Sequence, residues 1–156
     1  MPSKKSLPKI TVHTIIKNED RFIWYALKSV INFVDRIIIY DTGSTDNTIP
    51  IIHTIASAKI ILESHSATTR QDLAALRQQQ LDRTTTPWFM LLDGDEIWPE
   101  KNLHTLLHTA ATADKHTLAF INQTRNCIGD IFHYLPPSTG HYHIKGFTGH
   151  LNIRLI

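Results

Sequence analysis

Apolar and polar positions along the chain switch repeatedly between two periods. Lys9 to Ile16 is β-branched and largely apolar, the pattern of a buried strand. Ile23, Ala26, Leu27, Val30, Ile31 and Val34 then recur at helical spacing and predict a helix with one apolar face. Asn18 is placed to cap that helix, with Glu19 and Asp20 where its dipole favours anions. Arg36 to Tyr40 holds a continuous isoleucine run, as in parallel strands covered on both faces. Ile51, Ile52, Ile55 and Ala56 predict a second helix and Lys59 to Leu62 a third strand. Thr69 to Arg83 reads as a helix with a weak apolar stripe. Trp88 to Leu92 is a fourth strand, Leu103, Leu106, Leu107 and Ala110 mark a helix, and Thr117 to Asn122 is a further strand.

Strand and helix alternate, so the expected class is α/β with a mostly parallel central sheet flanked by helices. Ligands of such sheets bind beyond the carboxyl ends of the strands. Three polar clusters stand at those ends and should converge on one edge: Lys17-Asn18-Glu19, Asp41-Thr42-Gly43-Ser44, and Asp93-Gly94-Asp95. Residues 1–8 read as a polar tail and 9–156 as one domain. Pro136 to Gly140 reads as an exposed loop, and Leu151 to Ile156 alternates as a strand does. No cap or turn follows that strand, so a domain truncated at its C-terminus is expected.

Composition narrows the field. Sixteen basic residues face fourteen acidic ones, a formal net charge of +2 that argues against nucleic acid as a partner. A single cysteine, Cys127, excludes an intrachain disulfide framework and a Cys-rich zinc module. No run approaches the ~20 apolar residues of a membrane span, and no signal peptide is visible. A cytoplasmic location is the expectation.

Asp93-Gly94-Asp95 carries the most chemistry. Two carboxylates two residues apart at a strand end can address a hard cation through oxygen ligands, and Gly94 lets backbone and ligand approach closely. A turn with solvated aspartates has the same sequence. Asp41 either satisfies the turn made by Gly43 and Ser44 or accepts from a nucleobase N–H or ribose hydroxyl.

Taken in order, Ile15-Ile16-Lys17-Asn18-Glu19, Asp41 to Thr48, and Leu92-Asp93-Gly94-Asp95-Glu96 resemble the family-2 glycosyltransferases of GT-A fold. Among these the chain is most similar to the bacterial enzymes of lipopolysaccharide-core and cell-surface glycan assembly. The resemblance runs from about Ile10 to Leu107, with a fainter echo at Asn152-Ile153-Arg154-Leu155. It implies an inverting transfer from a nucleotide-diphospho-sugar donor, a UDP-sugar first, to a glycan or lipid-linked acceptor, the latter allowing peripheral membrane association. It also implies Mn²⁺ or Mg²⁺ at Asp95 and Asp93, with Asp93 near the ribose as well and Gly94 among the nucleotide-sugar-binding residues. Asp41 would meet the base beside Ile16, Lys17 and Glu19. Arg70 falls where the family has an Arg-Asn pair, although Gln71 replaces the Asn here; an exposed helix arginine is the other reading.

The acceptor's general base remains unassigned. In the family it follows the Arg-Leu strand, so it is expected beyond Ile156, and Asp130 is the weak candidate within the chain. Two other readings stay open: a silent nucleotide-sugar-binding module, and a nucleotidyltransferase, against which stands the absence of a Gly-rich basic phosphate loop. His141 and His143, with His133 and His150, form either scattered surface histidines or a zinc site. Cys127 is expected as a buried or neutral thiol. Trp24, Trp88 and Trp98 are expected to pack at the core or its edge, with Trp98 close enough to Asp95 to flank a sugar.

Overall fold

The computed structural model describes residues 7–156. Residues 1–6 of the expected polar tail lie outside the described residues. The chain divides into two compact units, one up to Lys115 and one from His116.

The first unit holds β1 (Ile10–Ile16), α1 (Ile23–Val30), β2 (Arg36–Asp41), α2 (Thr48–His53), β3 (Ile60–Ser64), α3 (Arg70–Asp82), β4 (Trp88–Leu91) and α4 (Glu100–Thr112). Its strands lie in the order β3-β2-β1-β4, every neighbour parallel. Strand order therefore reverses between β1 and β4, the kind of switch point where open α/β sheets bind ligands. The isoleucine run Ile37-Ile38-Ile39 is fully buried, as a strand covered on both faces requires. Ile23, Ala26, Leu27 and Val30 of α1 and Leu103 and Leu107 of α4 are wholly buried too. Each such Leu or Ile contributes roughly 1.5–3 kcal/mol by leaving water.

One local expectation is corrected here and another is explained. Asn18 does not cap α1, which begins five residues later after Phe22 and has no acidic residue in its first turn. Asn18 instead takes a left-handed backbone, φ 58°, and its Oδ1 accepts from the Thr45 amide at 2.8 Å. The weak apolar stripe of α3 also has a cause. Only Leu76 and Gln80 of that helix are buried, and Gln80 Nε2 donates to the carbonyls of Thr14 and Ile38 at 3.0 Å each. An amide that bridges two adjacent strands fixes the helix to the sheet where a leucine would otherwise pack.

In the second unit β5 (Phe120–Gln123) pairs antiparallel with β10 (Leu151–Leu155). Two small ribbons lie between them in sequence, β6 (Cys127–Ile128) with β7 (Asp130–Tyr134), and β8 (Tyr142–Ile144) with β9 (Phe147–Gly149). The expected loop at Pro136–Gly140 carries a short 3₁₀ turn, Pro137–Thr139. Cys127 is exposed, which corrects the expectation of burial. The histidines do not gather. His133 meets Asp130, His143 meets Thr148, and His150 meets Asn126 and Thr139. Among the described residues no three His, Cys, Asp or Glu side chains are arranged to hold a metal by themselves. No described helix is long and apolar enough to cross a membrane.

Candidate functional site

The three polar clusters at the strand ends meet. Ile16 is level with Asp41 in the parallel register, so the turns that leave β1 and β2 run side by side. Four bonds tie them: the Asn18 amide to Ser44 Oγ (2.9 Å), the Thr45 amide to Asn18 Oδ1 (2.8 Å), the Glu19 amide to Thr48 Oγ1 (2.7 Å), and the Asp20 amide to Asp46 Oδ2 (3.2 Å). Gly43 makes the β2 turn possible at φ +100°, a conformation side chains resist. Asp41, only 4% exposed, turns its carboxylate into this loop. It accepts from the Gly43 amide at 3.1 Å, from the Ser44 amide at 3.1 and 3.2 Å, and from Ser44 Oγ.

The β4 cluster joins through Glu19. A Cβ built on Gly94 would stand 2.6 Å from Glu19 Cγ and 3.0 Å from Glu19 Cβ. Glycine is therefore what lets the Glu19 side chain lie across the Asp93-Gly94-Asp95 turn. Burial raises the Glu19 pKa above its ordinary value, and the charges of Asp95, Asp93 and Asp46 push it the same way. The strand ends thus create a region of concentrated negative charge built from hard oxygen donors.

Beside it lies a cleft of about 510 Å³ lined by Ile16, Lys17, Glu19 and Arg70, with Thr42, Thr69 and Arg77 among the other walls. Four of the residues singled out from sequence therefore share one cavity. Arg70 opens α3 behind Thr69, whose side chain caps the helix while Asp72 reaches back to the Thr69 amide. Those backbone and side-chain bonds hold Asp72 down to about 2.

Arg77 is the residue the sequence reading missed. Its guanidinium stands 3.7 Å from Asp93 Oδ1, donates to the His13 carbonyl at 3.3 Å and lines the cleft. The signal was present: Arg70, Leu73 and Arg77 are spaced i, i+3, i+7 and all three face the cleft. A helix with a weak apolar stripe beside a strong sheet has a second face that needs a reason.

Two other candidates have partners of their own. Asp130 belongs to the second unit, where its carboxylate accepts from His133 Nδ1 and from the Phe132 and His133 amides. The His133 bond first, then those amides, holds its pKa below the ordinary value. Trp98, half-buried, donates its backbone amide to Ser29 Oγ at 3.1 Å.

Known proteins share this architecture. Residues 11–153 match the model of glycosyl transferase family 2. The SPbeta prophage-derived glycosyltransferase SunS of Bacillus subtilis is 25% identical over 139 residues, covering 88% of this chain and 30% of SunS. The mannosyltransferase PcManGT of Pyrobaculum calidifontis, solved with GDP-Man and Mn²⁺, superposes with a TM-score of 0.59 at 22% identity, over 82% of this chain and 37% of that one. The glucosyl-3-phosphoglycerate synthase of Mycobacterium tuberculosis, solved with Mn²⁺ and UDP-glucose, gives 0.53 at 19% identity, over 74% and 43%. These likenesses show the GT-A fold. The chain spans 21% to 30% of the length of the curated relatives it matches. With a family match running from β1 into β10, on the fold that its strand order builds, the chain belongs to glycosyl transferase family 2.

Proposed function

We propose that the cleft beside the strand ends binds the diphosphate and nucleoside of a nucleotide-sugar donor, a UDP-sugar first, for inverting transfer to a glycan or lipid-linked acceptor in cell-envelope assembly. The observation that carries this reading is the meeting of Ile16, Lys17, Glu19 and Arg70 in one cleft, with Arg77 reaching from it to Asp93. Lys17, Arg70 and Arg77 bring three cations to a wall where phosphate charge would be welcome. Asp41 holds the Gly43-Ser44 turn in shape, and we assign the base of the donor to the edge that this turn forms.

Mn²⁺ or Mg²⁺ fits the donor set. Asp93, Asp95 and the neighbouring Glu19 offer hard oxygens, and the negative charge that Asp95 and Asp93 bring to Glu19 is charge a cation would relieve. Asp95 and Asp93 would hold the ion, whose role when bound is to neutralise charge on the departing nucleoside diphosphate. Arg77, fixed on the His13 carbonyl, keeps the Asp93 carboxylate oriented at the edge of the cleft.

A second reading, a donor-binding module without transfer, draws on the second unit. Asp130 is the only acidic residue from His116 to Ile156, and its hydrogen bonds make it a poor base for an acceptor hydroxyl. Separate assays of binding and transfer distinguish the two readings. Calorimetry of UDP with Mn²⁺, and with EDTA in its place, should show metal-dependent affinity that Asp95→Asn abolishes. Arg77→Met should weaken the same binding about tenfold, the scale of one lost charge-assisted hydrogen bond. Equal affinity in EDTA would remove the metal from the reading. UDP binding that Asp95→Asn and Arg77→Met both leave unchanged would move the site elsewhere. Sugar transfer by this chain would set the binding-module reading aside.

A further inference from the structure

The outer side of α1 is aromatic. Its inner stripe is buried, yet Trp24 and Tyr25 are 42% and 55% exposed, and Phe22 just before the helix is 42% exposed. Trp24 and Tyr25 stand edge to face, ring centroids 5.2 Å apart at 82°, and the Lys28 ammonium lies 5.7 Å from the Trp24 ring centroid. Trp24 and Lys28 form one wall of an open cleft of about 310 Å³, whose other sides include Asn32, Thr54, Ser57 and Lys59. This cleft shares no residue with the donor cleft.

We propose that it is a second saccharide site, which takes one or two units of an anionic glycan with a pyranose ring against the Trp24 indole and its acidic group beside Lys28 and Lys59. An exposed indole offers a flat, electron-rich face to the C–H groups of a sugar ring, at little cost in side-chain entropy. An amide and two hydroxyls surround it, each able to meet a sugar hydroxyl. Thr54 Oγ1 donates to the Ile51 carbonyl and Ser57 Oγ accepts from the Lys59 amide, which leaves the first with acceptor capacity and the second with its proton.

Charge sets the class of sugar. Both ionised side chains in the lining are lysines, and no carboxylate is among them. Up to Lys115 the chain carries thirteen basic and thirteen acidic residues, so two lysines without an acid are a local imbalance. Lys59 spends one of its three donors on the Ile31 carbonyl at 2.8 Å, which fixes its ammonium at the cleft and leaves the others for a ligand. The volume stands at the lower end of small-molecule sites, about 300–1,000 Å³, room for a sugar or two. A cleft open to solvent suits a chain passing across it. The inference stands apart from the donor reading.

The test uses trigalacturonate as the anionic probe, maltotriose as its neutral counterpart and UMP as a nucleotide control. Binding is followed at the Trp24 indole N–H resonance in ¹⁵N-labelled protein, assigned through Trp24→Phe, and by calorimetry. Trigalacturonate should move that resonance, and Trp24→Ala should weaken its binding about tenfold. Lys28→Gln should weaken trigalacturonate severalfold and erase its advantage over maltotriose, an advantage that salt also removes. Both side chains are exposed, and thermal unfolding confirms the fold of each variant without reference to UDP. A resonance unmoved by trigalacturonate, binding that survives Trp24→Ala, equal affinity for maltotriose, or a larger response to UMP would each overturn the proposal.

Discussion

The two compact units are built on opposite terms. Among the described residues, twenty-two buried apolar side chains lie before Lys115 and two, Leu151 and Leu155, lie after it. Nine large apolar side chains of the second unit are exposed, from Leu118 at 80% to Leu135 at 36%. The first unit balances thirteen bases against thirteen acids; the second has three bases, one acid and five histidines. A sheet buried on both faces holds its strand ends rigidly, so Glu19, Asp93 and Asp95 can be kept close together against their mutual repulsion. Short ribbons such as β6–β7 have little core to lean on, and their shape depends on turns such as the one Asp130 organises.

The comparison is broken most forcefully in the core. Leu107 of α4 is wholly buried, so Leu107→Ala should cost about 2–5 kcal/mol through lost transfer energy and a residual cavity. Urea unfolding measures it. A loss below about 1 kcal/mol would mean that the first unit repacks far more freely than its burial implies.

A comparable effect should come from pH. His13, 1% exposed in β1, is held down to about 4 by burial first and the Arg77 charge second, against 6.5 ordinarily. Its Nε2 meets Thr84 Oγ1 at 2.6 Å, and its ring stacks on Phe89. Because the folded pKa lies below the unfolded one, protonation favours the unfolded chain. The stabilising contribution is complete above about pH 6.5, shrinks as pH falls, and is gone near pH 4. Its full size is about 3 kcal/mol. Unfolding midpoints at pH 7, 5.5 and 4.5 should fall steadily in the parent, and less steeply in His13→Asn.

Much of this contrast was legible in the sequence. Ile37-Ile38-Ile39 announced a covered strand, and turn residues stopping each run at Lys17, Asp41 and Asp93 marked the edge where ligand chemistry gathers. Asn18 misled because a capping residue and a left-handed turn residue have the same chemistry. Its cross-strand bond to Thr45 depends on β2 lying alongside, which no local pattern reveals. The ribbons were illegible for a physical reason. Ile131 and Phe132 are adjacent yet 73% and 77% exposed, so no buried face imposed a two-residue period. Gly129, at φ 78° between β6 and β7, and Lys145-Gly146, both at positive φ between β8 and β9, were hairpin signals that went unread.

The smallest expected effect sharpens the comparison from the other side. Phe132 lies in β7, and its main contribution to the ribbon is backbone: its amide donates to Asp130 Oδ1 at 2.8 Å. A serine keeps that bond and removes a ring that is mostly in water already. Phe132→Ser should therefore change unfolding free energy by less than about 0.5 kcal/mol, as surface substitutions away from special features do. It should leave UDP binding unchanged, since no donor-cleft residue belongs to β7. Asp130→Ala serves as its partner, because it removes the acceptor for two amides and for His133 Nδ1. A ribbon held by its turn should feel the second change more than the first, as a larger rise in amide exchange across β6 and β7. The reverse order would show that Phe132 packs against something in solution and that the second unit has more core than its exposed surface suggests.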